Sequence, residues 1–268
     1  MKPHIAIPLP HGADSEYAER AIPQYERAVE LAGGEPVRIP LDRSPAEVMK
    51  IIERCDAVLL PGSKADVDPA KFNASRHPQT EASDPKRDTV DELLLQDAYN
   101  MGKPILGICY GLQILNVYRS GTLVQHIESA VNHAAGRKVP VAHTVEIEPG
   151  SKLAAITGLS SSQFRAEASL GNTAGSASTR AVPISVNSSH HQSADLVGDG
   201  LKIVARCPED GVIEALEGTS SDHFVVAVQW HPELGWEKDL LSQRLFRVFV
   251  DEAANTRQVD LASVSTPA

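Results

Sequence analysis

Residues 104–116 read Pro104-Ile105-Leu106-Gly107-Ile108-Cys109-Tyr110-Gly111-Leu112-Gln113-Ile114-Leu115-Asn116. The apolar run Ile105–Ile108 predicts a buried strand of a parallel sheet. The apolar residues after the second glycine have helical spacing. The pattern therefore predicts that the chain turns from strand to helix between Gly107 and Gly111, with Cys109 at the turn.

A cysteine at such a turn has the position of a nucleophile. Gly107, Cys109 and Gly111 form a Gly-x-Cys-x-Gly pattern, the cysteine version of the nucleophile elbow. The glycines let strand and helix pack closely, and the sharp turn lifts the side chain clear of the sheet. The N-terminus of the helix favours the reactive thiolate. For this stretch alone, a small buried cysteine without chemistry is the alternative interpretation.

The segments around this turn alternate between strand and helix patterns. This order predicts an α/β fold with a doubly wound, mostly parallel sheet, helices on both faces and functional groups at the carboxyl ends of the strands. The predicted strands before the turn are 4–9, 36–40 and 55–60, and the predicted helices are 15–31, 45–54 and 87–101.

The second half of the chain predicts an antiparallel extension of the sheet. Residues 139–148 alternate between apolar and polar, as a half-buried strand does. Further strands are expected at 182–186, 201–205, 212–216 and 224–229, followed by a closing helix at 240–254. We interpret residues 1–254 as one domain, 160–180 as a flexible insertion and 255–268 as a disordered tail.

Composition excludes several classes of protein. The formal net charge of −10 argues against nucleic acid and anionic membranes as partners. The chain of 268 residues has no apolar run near the roughly 20 residues that span a bilayer. Its first residues lack a signal-peptide pattern, and its three cysteines are far apart, so we expect a cytoplasmic protein without disulfides.

A second motif supplies the base that a cysteine nucleophile needs. His231 follows the last predicted strand, at the sheet edge where the Cys109 turn is expected. Pro232 restricts the backbone of His231, and a turn would bring Glu233 back to the imidazole. We therefore predict a Cys109-His231-Glu233 catalytic triad.

These motifs resemble those of the class I glutamine amidotransferase superfamily, whose fold is flavodoxin-like, and within it the γ-glutamyl hydrolase branch. The resemblance runs from about residue 55 to 235. It rests on Leu106-Gly107-Ile108-Cys109-Tyr110-Gly111-Leu112-Gln113, Val228-Gln229-Trp230-His231-Pro232-Glu233, Leu60-Pro61-Gly62-Ser63, Asp66-Val67-Asp68-Pro69, Arg87-Asp88, Val186-Asn187-Ser188-Ser189-His190-His191-Gln192 and Asp210-Gly211-Val212-Ile213-Glu214-Ala215.

The resemblance implies roles for further residues. The backbone N–H of Tyr110 and that of Gly62 or Ser63 are expected to form an oxyanion hole. Gln113 matches a position that faces the bound glutamyl group in relatives. The branch usually has Arg where this chain has Tyr110, and Gly-Gly where it has Ser120-Gly121. The glycine-rich turn after Leu60 is altered as well.

His190 and His191 are two adjacent residues of a type that binds metal ions. Adjacent residues on a strand point to opposite faces, so at most one of the two reaches a shared site. Because no cysteine or carboxylate stands at ligand spacing, we expect no metal and no cofactor. One histidine is expected to face the substrate, with packing roles as the alternative. Asp66 and Asp68 lack the rest of a calcium loop and predict a turn.

The leading functional hypothesis is a hydrolase that cleaves γ-glutamyl amides through a thioester, on a substrate like γ-glutamyl-γ-aminobutyrate. The alternative is a glutaminase subunit that passes ammonia to a synthetase partner. A non-catalytic binding module is the third. A homodimer is compatible with each of them.

Overall fold

The chain is described here from a computed structural model, which covers residues 1–158 and 181–264, with the side chains of the last helix described to residue 256. The elements are, in chain order, β1 (His4–Pro8), α1 (Ser15–Leu31), β2 (Glu35–Ile39), α2 (Pro45–Ile52), β3 (Ala57–Leu60), α3 (Pro85–Met101), β4 (Ile105–Ile108), α4 (Tyr110–Tyr118), β5 (Leu123–Val124), β6 (His143–Ile147), α5 (Lys152–Thr157), β7 (Val182–Val186), β8 (Ser193–Ala194), β9 (Leu201–Arg206), β10 (Ile213–Gly218), β11 (Val225–Val228) and α6 (Leu240–Val264).

Within the described residues, nine strands form one sheet in the order β2-β1-β3-β4-β11-β10-β9-β6-β7. The first five of these strands are parallel, and β10, β9, β6 and β7 continue the sheet with antiparallel pairings. A separate pair of strands, β5 and β8, is antiparallel. The predicted α/β fold with a mostly parallel sheet and an antiparallel extension is confirmed.

Helices cover both faces of the sheet because successive strand residues point to opposite sides. Ile5 and Ile7 pack into the core shared with α1, α5 and α6. Ala6, between them, packs into the core shared with α2, α3 and α4. Both cores consist of aliphatic and aromatic side chains, in agreement with strands that are apolar on both sides.

The closing helix is longer than the sequence analysis expected. We expected disorder from Asn255, whereas α6 extends from Leu240 to Val264. Residues 255–264 contain neither proline nor glycine, so no helix-breaking residue interrupts the helix within this stretch. The insertion expected at 160–180 lies outside the described residues. No helix in residues 1–158 and 181–264 is long and apolar enough to cross a membrane.

Arg87 on α3 ties together the loops at the carboxyl ends of β1 and β3. Its side chain is fully buried, and both oxygens of Asp91 accept from its Nε at 2.7 and 2.8 Å. Its Nη2 donates to Pro61 O at 2.9 Å, and its Nη1 donates to Pro10 O at 3.3 Å. Burial raises the pKa of Asp91 to about 6, against the opposing effect of Arg87. The guanidinium thus connects the loop that precedes Gly62 to the body of the protein.

Replacing Arg87 by Met should therefore lower the free energy of unfolding by about 3–5 kcal/mol, because Asp91 and the two loop carbonyls would lose their buried partner. Urea denaturation of the Arg87→Met protein measures the loss.

Arg38→Met is the matched control, since Arg38 makes a similar two-point contact with Glu26 on the surface. The control should cost less than about 1 kcal/mol. Equal losses in the two variants would contradict the role given to Arg87.

Candidate active site

Cys109 occupies a strained turn between β4 and α4. Its backbone has φ 54° and ψ −105°, a conformation that non-glycine residues seldom adopt and that typically costs about 1–3 kcal/mol. Its N–H donates to Val228 O at 2.8 Å, which holds the turn against β11. A Cβ on Gly111 would collide with Leu60 O, and one on Gly107 would lie 2.9 Å from the backbone of Gly111. The two glycines therefore permit the close packing of β3, β4 and α4.

His231 lies at the end of β11, beside the strand that carries Cys109. Its Nδ1 is 2.8 Å from Glu233 Oε1. Asn187 holds its backbone from both sides, accepting from His231 N at 2.8 Å and donating to His231 O at 2.8 Å. The imidazole is therefore fixed by a carboxylate on one nitrogen and by an amide clamp on its backbone.

The side chains of Cys109 and His231 meet beside Gly62. A Cβ on Gly62 would lie 3.0 Å from His231 Cε1 and 3.6 Å from Cys109 Cβ. Burial alone would lower the pKa of His231, but Glu233 and then Cys109 outweigh that effect and raise it to about 9. The imidazole therefore holds a proton at neutral pH, between a sulfur and a carboxylate.

Arg137 is a member of this cluster that the sequence did not reveal. Its Nη2 donates to Glu233 Oε1 at 2.9 Å and to Gln24 Oε1 at 2.7 Å, and its Nη1 lies 3.3 Å from His231 Nδ1. Burial opposes ionisation of Glu233, but His231 and then Arg137 lower its pKa below the ordinary value. Arg137 comes from an irregular loop without a recognisable motif, so only the folded chain brings it to the carboxylate.

The backbone amides predicted for the oxyanion hole differ in their hydrogen bonds. The N–H of Gly62 donates to Tyr25 Oη at 3.1 Å. Within the described part of the chain, the N–H groups of Ser63 and Tyr110 have no acceptor. The position of Tyr110 at the start of α4 explains its free N–H, since the first amides of a helix lack intrahelical partners. Ser63 and Tyr110 are therefore the two amides available to a ligand.

A cavity of about 350 Å³ opens over Cys109. Its charged side chains are Lys64, Asp66 and Glu81, and its lining also includes the candidates for substrate binding, Gln113, His190 and His191. Residues that line it are Ser63, Lys64, Ala65, Asp66, Gln79, Glu81, Cys109, Gln113, His126, Ser189, His190, His191 and Gln192.

The predicted substrate-binding residues have different surroundings. Gln113 Nε2 donates to Gln192 O at 3.1 Å. His191 Nε2 lies 3.2 Å from Asp66 Oδ1, and a hydrogen bond to that carboxylate raises the pKa of this imidazole. His190 is adjacent in sequence, but its imidazole is directed into the protein, towards Glu214. The two histidines therefore face different groups.

Two departures from the branch pattern lie away from this cavity. Tyr110 is buried, and its hydroxyl donates to Asp88 Oδ1 at 2.8 Å. Ser120 adopts φ 71°, a conformation that glycine accepts without strain, in agreement with the glycine that the resemblance led us to expect there. The third departure, Ser63-Lys64-Ala65, lines the cavity. Only this altered turn reaches the space where a substrate would bind.

Comparison with known proteins gives the family. The model of the peptidase C26 family matches residues 8–233. This chain belongs to the peptidase C26 family. Membership in this class I glutamine amidotransferase-like family supports a hydrolase.

Individual relatives agree with this assignment. A Mycobacterium tuberculosis protein named "Putative glutamine amidotransferase" is 36% identical over 86% of this chain, which spans 66% of that relative's length. The γ-glutamyl-γ-aminobutyrate hydrolase PuuD of Escherichia coli is 29% identical over 85% of this chain and 84% of its own. The glutaminase domain of Trypanosoma brucei CTPS has the same fold, with a TM-score of 0.59 at 17% identity and 94% coverage of both chains.

The three cysteines should differ in reactivity. Burial raises the pKa of Cys55 and of Cys207 to about 12, whereas Cys109 opens onto the cavity. Iodoacetamide at neutral pH should therefore label Cys109 first, and peptide mass spectrometry would locate the label.

In urea, all three cysteines should react at similar rates, because the difference depends on the fold. Labelling of Cys55 or Cys207 as fast as Cys109 in the native protein would contradict this interpretation.

Proposed function

We propose that this protein hydrolyses γ-glutamyl amides through a γ-glutamyl thioester on Cys109. The proposal rests on one observation. Cys109, in a strained turn, lies beside the imidazole of His231, and the Nδ1 atom of that imidazole contacts Glu233. This combination is the arrangement of an activated nucleophile, a base and an orienting carboxylate.

In the first half-reaction, the Cys109 thiolate attacks the γ-carbonyl carbon and the carbonyl electrons move onto the oxygen. The N–H groups of Ser63 and Tyr110 would donate to this oxyanion; losing one such donor typically costs about 2.7–4 kcal/mol of barrier. When the intermediate collapses, the C–N bond breaks and the protonated His231 gives its proton to the departing amine. The γ-glutamyl group is left as a thioester on sulfur.

In the second half-reaction, neutral His231 accepts a proton from water, and the resulting hydroxide attacks the thioester carbon. The C–S bond breaks, glutamate leaves, and the thiolate and imidazolium are restored. Glu233 stabilises the imidazolium, and Arg137 holds that carboxylate in place. No group other than water and the substrate is consumed.

The charges of the cavity support a glutamyl substrate. A free γ-glutamyl group carries an ammonium and a carboxylate on its α-carbon. Lys64, whose ammonium also contacts Asp14, contributes a cation to the cavity lining, and Asp66 and Glu81 contribute carboxylates. A site with charges of both signs favours a zwitterion over an apolar ligand.

The second candidate function is that of a glutaminase subunit for a synthetase partner. The Mycobacterium tuberculosis relative carries the name of an amidotransferase, and the CTPS neighbour is a glutaminase domain. In that case the ammonia, not the glutamate, would be the useful product. The bond broken and the residues that break it would be the same.

The decisive experiment incubates the protein alone with glutamine, γ-glutamyl-γ-aminobutyrate and other γ-glutamyl amides, and measures glutamate and free amine. We expect hydrolysis of the larger amides without a partner. The Cys109→Ala protein should lose about 10⁴-fold or more of this activity, because the nucleophile is gone.

Cys55→Ala is the control for that substitution and should retain activity, since Cys55 is buried and is not among the residues that line the cavity. Turnover of glutamine alone, and only with a synthetase present, would favour the second function. Undiminished activity in Cys109→Ala would refute the mechanism. Absence of turnover on every substrate would favour a binding module.

The pH dependence of kcat/KM should report the proton on His231. Activity should fall as pH rises through about 9, because above that pH the imidazole has lost the proton that the amine needs. Glu233 raises this pKa, so Glu233→Gln should move the alkaline limb to lower pH, towards the ordinary 6.5. Rate profiles of both proteins between pH 6 and 10 would measure the shift, on the order of one or two pH units.

Glu237→Gln removes an exposed carboxylate from the same segment and is the matched control. Its alkaline limb should coincide with that of the unmodified protein. A limb that stays in place in Glu233→Gln would show that another group controls the rate.

A further inference from the structure

Four buried side chains converge within the protein, and one of them, His190, also lines the cavity. They are His133 from an irregular loop, His143 at the start of β6, His190 from the loop after β7, and Glu214 on β10. Their relative exposures are 3%, 9%, 5% and 0%. One ligand atom from each lies within 4.8 Å of every other. The proposed hydrolysis uses none of the four.

The separations between Glu214 and the three histidines are those of neighbouring ligands around a metal ion. His133 Nδ1, His143 Nε2 and His190 Nε2 lie 3.3, 3.4 and 3.7 Å from Glu214 Oε1. Zinc ligands lie about 2.0–2.2 Å from the ion, so the corners of a tetrahedral site are about 3.3–3.6 Å apart. The separations measured from Glu214 Oε1 match that edge with a change of about 0.1 Å at most.

In each histidine, the ring nitrogen that points away from Glu214 has a hydrogen-bond partner, and this partner determines the protonation of the nitrogen that points towards Glu214. His143 Nδ1 lies 3.2 Å from Thr144 O, and His190 Nδ1 lies 2.9 Å from Gln192 O. A carbonyl oxygen only accepts, so both Nδ1 atoms carry hydrogen and each neutral ring presents the lone pair of Nε2 to the cluster. These contacts set the tautomer that a metal ligand requires.

His133 is oriented in the same manner by a carboxylate. Its Nε2 lies 2.8 Å from Asp210 Oδ2, which also accepts from Ser129 Oγ at 2.5 Å. The ring therefore directs Nδ1 at Glu214. A carboxylate behind a histidine is the common support of a metal-bound imidazole. All three histidines thus have their outer nitrogen engaged and their inner nitrogen directed to one point.

The inner atoms lack hydrogen bonds. In residues 1–158 and 181–264, His133 Nδ1, His143 Nε2, His190 Nε2 and both oxygens of Glu214 have no hydrogen-bond partner. Leaving such groups buried and unpaired costs about 1–3 kcal/mol each, and more for a charged group. One added proton would satisfy a single nitrogen–oxygen contact and leave two lone pairs facing the carboxylate. A cation at the centre satisfies all four ligands at once.

From this geometry we propose that His133, His143, His190 and Glu214 bind a divalent transition metal, Zn²⁺, in a closed tetrahedral site. Three imidazoles and a carboxylate are ordinary zinc ligands, and four protein ligands leave no open position for a substrate. The role is therefore structural. The sequence predicted no metal because the ligands come from four separate segments, and no short spacing relates them.

The ion would stabilise the loop that carries Arg137 to Glu233. The carbonyl of His133 accepts from His190 N at 2.9 Å and from Ser188 Oγ at 2.6 Å, and Gly136 N donates to Ser188 O at 3.0 Å. A metal held by His133 and His190 would lock these two loops together. Arg137 follows directly after Gly136, so its position depends on the same contacts.

The test measures zinc in the tag-free full chain, purified without chelator. Elemental analysis should find one Zn²⁺ per chain, and removal with a chelator should lower the melting temperature. Titration of the metal-free protein with Co²⁺ should produce the visible absorption of a tetrahedral complex. A metal-free protein that takes up neither Zn²⁺ nor Co²⁺ and shows no change in melting temperature would overturn the proposal.

Variants locate the ion. His143→Ala and Glu214→Gln should bind Zn²⁺ at least about 100-fold more weakly, and their melting temperatures should no longer respond to the metal. His223→Ala removes a half-buried histidine outside the cluster and should bind one Zn²⁺ normally. Cys109→Ala should also bind one Zn²⁺. Loss of zinc from Cys109→Ala with retention in Glu214→Gln would place the ion on the thiol and refute the site.

Discussion

The parallel pairing of β4 with β11 is the contact on which the candidate active site depends. Ile108 pairs with Val228, so Cys109 and the segment that carries His231 leave the sheet at the same edge. The hydrogen bond from Cys109 N to Val228 O closes this pairing at the turn. A shift of this register by one residue would turn the alternating side chains to the opposite faces and separate the sulfur from the imidazole.

The buried charged side chains near this edge of the sheet form ion pairs. Arg137 and Glu233 compensate each other beside His231, and Arg87 with Asp91 does the same under the loop that carries Gly62. A buried charge without a partner is costly, so each of these groups constrains the position of its neighbours. The loops around the cavity are therefore positioned by buried electrostatics as well as by the apolar cores.

The segment Asn187–Gln192 connects the two polar regions. Asn187 holds the backbone of His231, and Gln192 O accepts from Gln113 in the cavity. Between them, Ser188 and His190 contact the loop of His133 and the buried Glu214. Consecutive residues of an extended loop point in different directions, which is why six residues reach both regions. The segment therefore contacts both the histidine cluster and the edge of the sheet that carries His231.

Local patterns in the sequence determined the order of strands and helices, the turn at Cys109 and the motif of His231 and Glu233. The period of the apolar residues, the glycines on either side of Cys109 and the proline after His231 each act over a few positions, so the sequence alone reveals them. The same patterns misplaced the end of the last helix and were silent about Arg137, about the engagement of Gly62 by Tyr25, and about the grouping of three histidines with Glu214. The contact between Gly62 and Tyr25 joins residues 37 positions apart in the sequence, and that between Arg137 and Gln24 joins residues 113 positions apart. Only tertiary structure decides them, since the sheet and the packed helices set which distant loops become neighbours, and no short spacing in the chain encodes that choice.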